Sequence, residues 1–313
     1  MARPLRIIYP DAFYHVTSRG NERREIYKSQ RDREKFLSYL ESASERYGAV
    51  IHAYCLMTNH YHLILETPVG NLSEIMQHIN GAYTTYFNVK RKRTGHLFQG
   101  RHKSILVEAD EYATELSRYI HLNPVRAGIV TRPEDFVWSS YPSYIGKGLA
   151  PAWLKTDFIL GYFGNIAPDA RKKYRAFVED MIGKEYESPL EATFASSILG
   201  SPDFVEEVAT NHLKENEKDQ NSPAIRQLFL RPTLEEIINA VRSVFSDDDK
   251  LIRQASIHVC HKYSGARLRE VASMFKIGET AIIEASKRFS KRMNDDKKFG
   301  EALVKIRGVL KYE

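Results

Sequence analysis

Hydrophobic and polar positions follow two alternating periods over the first 130 or so residues. Phe13-Tyr14-His15-Val16-Thr17 is aromatic and β-branched and breaks off at Ser18-Arg19-Gly20-Asn21, the signature of a strand running into a turn. From Asp32 to Tyr47 the apolar residues fall at Phe36, Leu37, Leu40 and Ala43, a helical spacing closed by Gly48. Ala49 to Met57 reads as a second strand, Thr58-Asn59 as a tight turn, and His60 to Glu66 as a third strand forming a hairpin with the second. Asn71-Leu72-Ser73 opens a helix through Ile75, Met76, Ile79, Tyr83, Tyr86 and Phe87, which ends in Lys90-Arg91-Lys92-Arg93. His96 to Val107 is expected to form another extended pair, and Asp110 to about Leu122 a helix stopped by Pro124.

This order of elements predicts an α+β fold, a ferredoxin-like antiparallel sheet with helices on one face, over residues 1–132. From Pro133 the pattern changes. Trp138, Tyr141, Tyr144, Trp153 and Phe158 sit among Pro and Gly as in a packed connector, and 168–213 reads as helical. The polar stretch 214–221 then closes a connector assigned to 133–222. Residues 223–313 are expected to be all-α. There Leu268, Val271, Ala272, Phe275, Ile277, Ile282, Ala285 and Phe289 have helix–turn–helix spacing, with the turn at Ile277-Gly278.

Charge sharpens this division. Residues 1–150 carry 20 Lys+Arg against 15 Asp+Glu, residues 151–249 carry 11 against 18, and residues 250–313 carry 15 against 7. Two basic ends flank an acidic middle, which fits two modules facing a polyanion. No apolar run approaches the roughly 18 residues of a membrane span, and the basic N-terminus lacks the apolar core of a signal peptide. Only Cys55 and Cys260 occur, in no metal-ligand spacing, so a cytoplasmic setting is expected.

One short stretch carries candidate chemistry. In a strand, residues two apart share a face, so His60 and His62 project side by side and Tyr61 points away. Two imidazoles on a rigid surface can bind a divalent cation; they are also compatible with two half-buried histidines and no metal. Sixty residues on, Tyr119 and Asn123 stand four apart, on one helix face. If that helix packs beside the histidine strand, a phenol, an amide oxygen and two imidazoles converge.

The segments N-H-Y-H-L-I-L, L-F-Q-G-R-H-K-S and Y-I-H-L-N-P-V-R-A-G-I-V, in this order and spacing, resemble the HUH single-tyrosine transposases, and among them the REP-associated tyrosine transposases. The opening A-R-P-L-R-I-I-Y-P-D-A-F-Y-H-V-T-S-R-G-N-E-R-R and A-Y-C-L-M-T-N-H-Y-H share the likeness, which covers about residues 1–145 and continues more weakly over 198–208. Tyr61 between the histidines is a mild departure. The resemblance implies a transposase that cleaves and rejoins single-stranded DNA beside hairpin-forming palindromes through a 5′-phosphotyrosine. It implies Tyr119 as nucleophile, His60, His62 and Asn123 as metal ligands, and Mg²⁺ or Mn²⁺ as cofactor. A non-catalytic hairpin-binding regulator on the same fold is the rival reading.

Candidate DNA contacts are Arg19, Asn21, Arg23 and Arg24 after the first strand, and Lys90, Arg91, Lys92, Arg93, Arg101 and Lys103 in a second basic cluster. Phe98 and Tyr14 are candidates for stacking on unpaired bases. The C-terminal helix pair, with Lys287, Arg288, Lys291 and Arg292 on its second helix, resembles the DNA-binding domain of the replication initiator DnaA and is expected to meet duplex DNA. The expected protein is a monomer or homodimer, nucleoid-associated, with no membrane partner.

Overall fold

The computed structural model describes residues 7–184, 188–213, 232–245, 248–264, 266, 268–295 and 297–310. Its contacts divide the chain into two compact units that part between Ser201 and Pro202. Among the described residues, no helix is long and apolar enough to cross a membrane.

In the first unit β1 (Ala12–Arg19), α1 (Gln30–Tyr47), β2 (Val50–Leu56), β3 (His60–Thr67), α2 (Leu72–Lys90) and β4 (Lys103–Val107) follow one another. The strands lie in the order β2-β3-β1-β4, each antiparallel to its neighbours, which is the ferredoxin-like arrangement. Strand alternation sends Tyr61, Leu63 and Leu65 to one face. There Phe36 of α1 lies 4.8 Å from the Tyr61 ring and 5.1 Å from Tyr83 of α2, ring centre to ring centre. The opposite face carries Phe13, Ala53, Cys55, Ile64, Ile105 and Val107, and α3 (Ala109–Arg126) covers it with Ala113, Leu116 and Ile120. Helices therefore cover both faces of the sheet, not one. Phe13, Ile64, Ile105 and Val107 make the second face apolar as well, so neither face can be left in water.

Four further differences follow. The helix expected to stop before Pro124 continues to Arg126 and closes at Gly128, whose φ is +66°. Proline in the last turn removes one backbone hydrogen bond, and the Pro124 carbonyl still accepts from Ile129 N–H at 2.9 Å. His96 to Val107 supplies only one strand, with Phe98 bridging to Gly20. Residues 133–201 pack into the first unit's core instead of standing apart. Short helices α4 (Tyr141–Tyr144) and α5 (Asp157–Gly161) and the longer α6 (Ala167–Glu179) bury Tyr141, Tyr144, Ile159, Leu160, Tyr174 and Val178 beneath α3. β5 (Ile198–Leu199) then adds a parallel fifth strand beside β4, within a stretch expected to be helical.

The second unit holds α7 (Pro202–Val208), α8 (Leu234–Val244), α9 (Asp249–Tyr263), α10 (Leu268–Phe275), α11 (Glu279–Asp295) and α12 (Lys297–Val309). Thr233 and Glu236 form a capping box at the start of α8, satisfying N–H groups the helix would leave open. Ile237, Val241, Val259, Val271, Phe275, Ile282 and Phe289 share one core. α10 and α11 meet at a three-residue turn that includes the expected Ile277-Gly278, with Lys276 at φ +54°. The polar link 214–221 and the expected boundary at 222 lie outside the described residues.

Candidate active site

β3 enters the site at its first residue. His60 pairs with Arg19 across the β1–β3 ladder and His62 with Thr17, so both histidines face the α3 side while Tyr61 turns into the other core. Tyr61 is buried and donates its hydroxyl to Asn80 Oδ1 at 2.7 Å. The His60 and His62 rings stand 5.0 Å apart, edge to face. α3 brings the half-buried Tyr119 ring to 5.9 Å from His62, at 88° to it. Asn123, one turn on, donates its Nδ2 to the Tyr119 carbonyl at 2.9 Å. The exposed Arg126 guanidinium lies over the Tyr119 ring, 5.2 Å from its centre.

Hydrogen bonding fixes which atoms keep lone pairs. The Arg23 carbonyl can only accept, so Asn59 donates Nδ2 to it at 3.0 Å and turns Oδ1 to His60 Nδ1 at 2.7 Å. Oδ1 must accept there, which places the His60 proton on Nδ1 and leaves Nε2 as a ligand atom. The same logic frees Asn123 Oδ1, because its Nδ2 is engaged by a carbonyl. His62 Nδ1 shares a hydrogen bond with His15 Nε2 at 2.9 Å, the two rings inclined by only 13°.

Burial, with Arg19 nearby, pulls His60 down to about 4; burial with His15, His60 and Arg19 takes His62 well below the usual imidazole range. Both are neutral at pH 7, the form that binds metal. Among the described residues no three His, Cys, Asp or Glu side chains are placed to hold a metal. A cation here would add the Asn123 oxygen and phosphate or water oxygens to the two imidazoles, a donor set that suits Mg²⁺ or Mn²⁺.

The other sequence-derived candidates divide. Arg19, Asn21, Arg23, Arg24, Lys92, Arg93, Arg101 and Lys103 are exposed. Arg24 pairs with Glu22 at 2.6 Å, and Arg93 donates to the His96 carbonyl at 3.1 Å. Lys90 and Arg91 are engaged elsewhere: both reach the buried Asp32 carboxylate, at 2.6 and 2.7 Å. Tyr14 and Phe98 cannot stack on bases as placed. Tyr14 is buried and donates to the Ile7 carbonyl at 2.9 Å, and Phe98 packs on Tyr61 and Tyr83. His121 is a core residue, held by Tyr174 Oη at 2.7 Å and Ser140 Oγ at 2.8 Å. On α11, Lys287, Arg288 and Arg292 are exposed opposite the buried Ile282, Ser286 and Phe289; the Lys291 side chain lies outside the described ones.

His15, Asn59 and Arg126 were not singled out from the sequence. Arg126 lies seven residues after Tyr119, two helical turns, a spacing hidden once Pro124 was read as the helix end. His15 reaches His62 only through strand register, which no local pattern states.

Residues 9–123 match the family described as IS200-like transposases. Among curated proteins none matches. A solved structure of a REP-associated tyrosine transposase bound to a REP hairpin is 19% identical, over 50% of this chain and 93% of that one, with a TM-score of 0.41. The family match runs from the residues before β1 to Asn123 on α3 and so takes in the histidine pair and the tyrosine. Residues 9–123 of this chain are therefore similar to the IS200-like transposases.

Proposed function

We propose that the protein cleaves and rejoins single-stranded DNA at hairpin-forming palindromic repeats, with Tyr119 as the nucleophile. The observation that carries this is the approach of the Tyr119 ring to 5.9 Å from His62, itself 5.0 Å from His60, inside the transposase-like segment. Tyr119 Oη attacks the scissile phosphorus and loses its proton. An O–P bond forms to the 5′ side, the bond to the 3′ oxygen breaks, and that oxygen leaves as a hydroxyl after gaining a proton. The phosphotyrosine preserves the phosphodiester's energy, so an incoming 3′-OH can reverse the step and join a different strand.

A phenol titrating near 10 when unperturbed is a weak nucleophile at pH 7, and alignment must compensate. His60 Nε2, His62 Nε2 and Asn123 Oδ1 would hold Mg²⁺ or Mn²⁺, which supplies charge neutralisation at a non-bridging phosphate oxygen. Arg126, exposed over the ring, meets the phosphate's remaining charge. Arg19, Asn21, Arg23, Arg24, Lys92, Arg93, Arg101 and Lys103 bind the strand's phosphates around the site. Lys287, Arg288 and Arg292 on α11 contact duplex DNA. The protein acts in the cytoplasm, at the nucleoid.

The reading is tested by incubating the protein with a labelled hairpin oligonucleotide and Mn²⁺ and separating covalent adducts on a denaturing gel. Adducts should form with Mn²⁺ and vanish in EDTA. His60→Ala and His62→Ala should each lower cleavage by more than the roughly 10–100-fold that losing an outer partner of a metal ligand costs. Cleavage undiminished in EDTA would remove the metal from the account.

A further inference from the structure

We infer that His15 is a positioning residue: its Nε2 accepts the Nδ1–H of His62 and so keeps His62 Nε2 as the lone-pair nitrogen. This rests on the reading of His60 and His62 as metal ligands. A neutral imidazole carries one N–H, and the 2.9 Å contact between the two rings requires one proton between them. If that proton sits on His62 Nδ1, His62 Nε2 can bind a cation. If it sits on His15 Nε2, His62 must carry its own proton on Nε2 and cannot. Metal-bound histidines ordinarily pass their second N–H to an oxygen acceptor that fixes the ring; here a second imidazole takes that place.

Two observations separate this role from simple packing. His15 is 1% exposed, and its other ring nitrogen, Nδ1, is buried without a hydrogen-bond partner. In either arrangement one polar atom of His15 is orphaned, which an aliphatic residue at the same place would avoid. A histidine there is a poor core residue and a good tautomer lock. The other member of the pair is treated alike: Asn59, itself fixed by the Arg23 carbonyl, occupies Nδ1 of His60. Both histidines thus have Nδ1 engaged by the protein and Nε2 left over.

The test uses the full chain. ¹⁵N NMR of the Mg²⁺-loaded wild type should show His62 protonated at Nδ1, and free-Mn²⁺ EPR titration gives the affinity of wild type, His15→Leu and His15→Gln. His15→Leu should weaken Mn²⁺ binding roughly 10–100-fold without lowering the melting temperature, and His15→Gln, which restores an acceptor oxygen, should recover most of it. Wild-type Mn²⁺ affinity in a folded His15→Leu protein, or His62 protonated at Nε2 in the Mg²⁺-loaded wild type, overturns the inference. Should His15→Leu not fold, the wild-type NMR and the His15→Gln titration decide alone. A wild type that binds no Mn²⁺ overturns the metal reading itself, a result distinct from the loss of the His15 effect.

Discussion

Asn59 and Asn123 act in the same way from different elements. Each commits its amide N–H to a backbone carbonyl, which leaves its oxygen with one defined task. That logic, with neutral imidazoles at His60 and His62, makes the site a set of lone pairs instead of a set of charges. Positive charge enters through Arg126 over the Tyr119 ring. Replacing Arg126 with Leu should slow adduct formation on a hairpin oligonucleotide about tenfold, the size of a desolvated cation–π or phosphate contact. Arg126→Lys should retain part of the rate, and a Leu variant as fast as wild type would relieve Arg126 of any part in the chemistry. The residues found from sequence were those whose shared face follows from one element's period. His60 and His62 are two apart on a strand, and Tyr119 and Asn123 four apart on a helix. His15 was invisible because its partner lies across a ladder, 47 residues away.

At the scale of elements, α1 and α2 are tied where the first begins and the second ends. Asp32 is fully buried and accepts from Lys90 at 2.6 Å, Arg91 at 2.7 Å and the Lys28 backbone N–H at 2.9 Å. Burial alone would raise its carboxyl, yet these hydrogen bonds overcome it and hold the group well below the usual carboxylate range. A carboxyl whose folded value lies below its unfolded value, about 3.9, stabilises the protein fully above that pH and progressively less as acid drives it toward the folded value. The melting temperature should therefore fall as pH drops below about 4, and Asp32→Asn should remove this part of the acid dependence. The same variant should cost about 2 kcal/mol at neutral pH, less than a wholly buried pair because Lys90 and Arg91 can turn to water. Equal denaturation midpoints for the two proteins across pH would contradict this. The Lys90–Arg93 run reads in sequence as one basic patch. Its first two members are engaged by a carboxylate 58 and 59 residues away, which local charge could not show.

Over the whole molecule, the α+β class and the all-α C-terminal region were legible, because period-2 and period-3.6 patterns are strong over β1 to α2 and over α10 to α11. The place of residues 133–201 was not. Aromatics among Pro and Gly read as a connector, but Tyr174 closes onto Ser117 and His121 of α3 at 2.9 and 2.7 Å, making the segment part of the first unit's core. β5 escaped notice because two residues carry no periodicity. The second unit brings its own exposed cations on α11. A Lys287→Ala, Arg288→Ala, Arg292→Ala triple variant should bind duplex-flanked hairpins more weakly and with a salt slope smaller by about three, while adduct formation on a bare hairpin stays at the wild-type rate. An unchanged salt slope would take α11 off the DNA.

Covalent attachment of Tyr119 to DNA can be read directly. Wild-type protein and Tyr119→Phe should be incubated with the same hairpin oligonucleotide and Mn²⁺, and any adduct digested and located by mass spectrometry. The wild type should yield a nucleotide-bearing peptide that contains Tyr119, and the variant should bind the hairpin without any adduct. Adducts of undiminished yield in Tyr119→Phe, or a wild-type adduct on another residue, would contradict attachment at Tyr119.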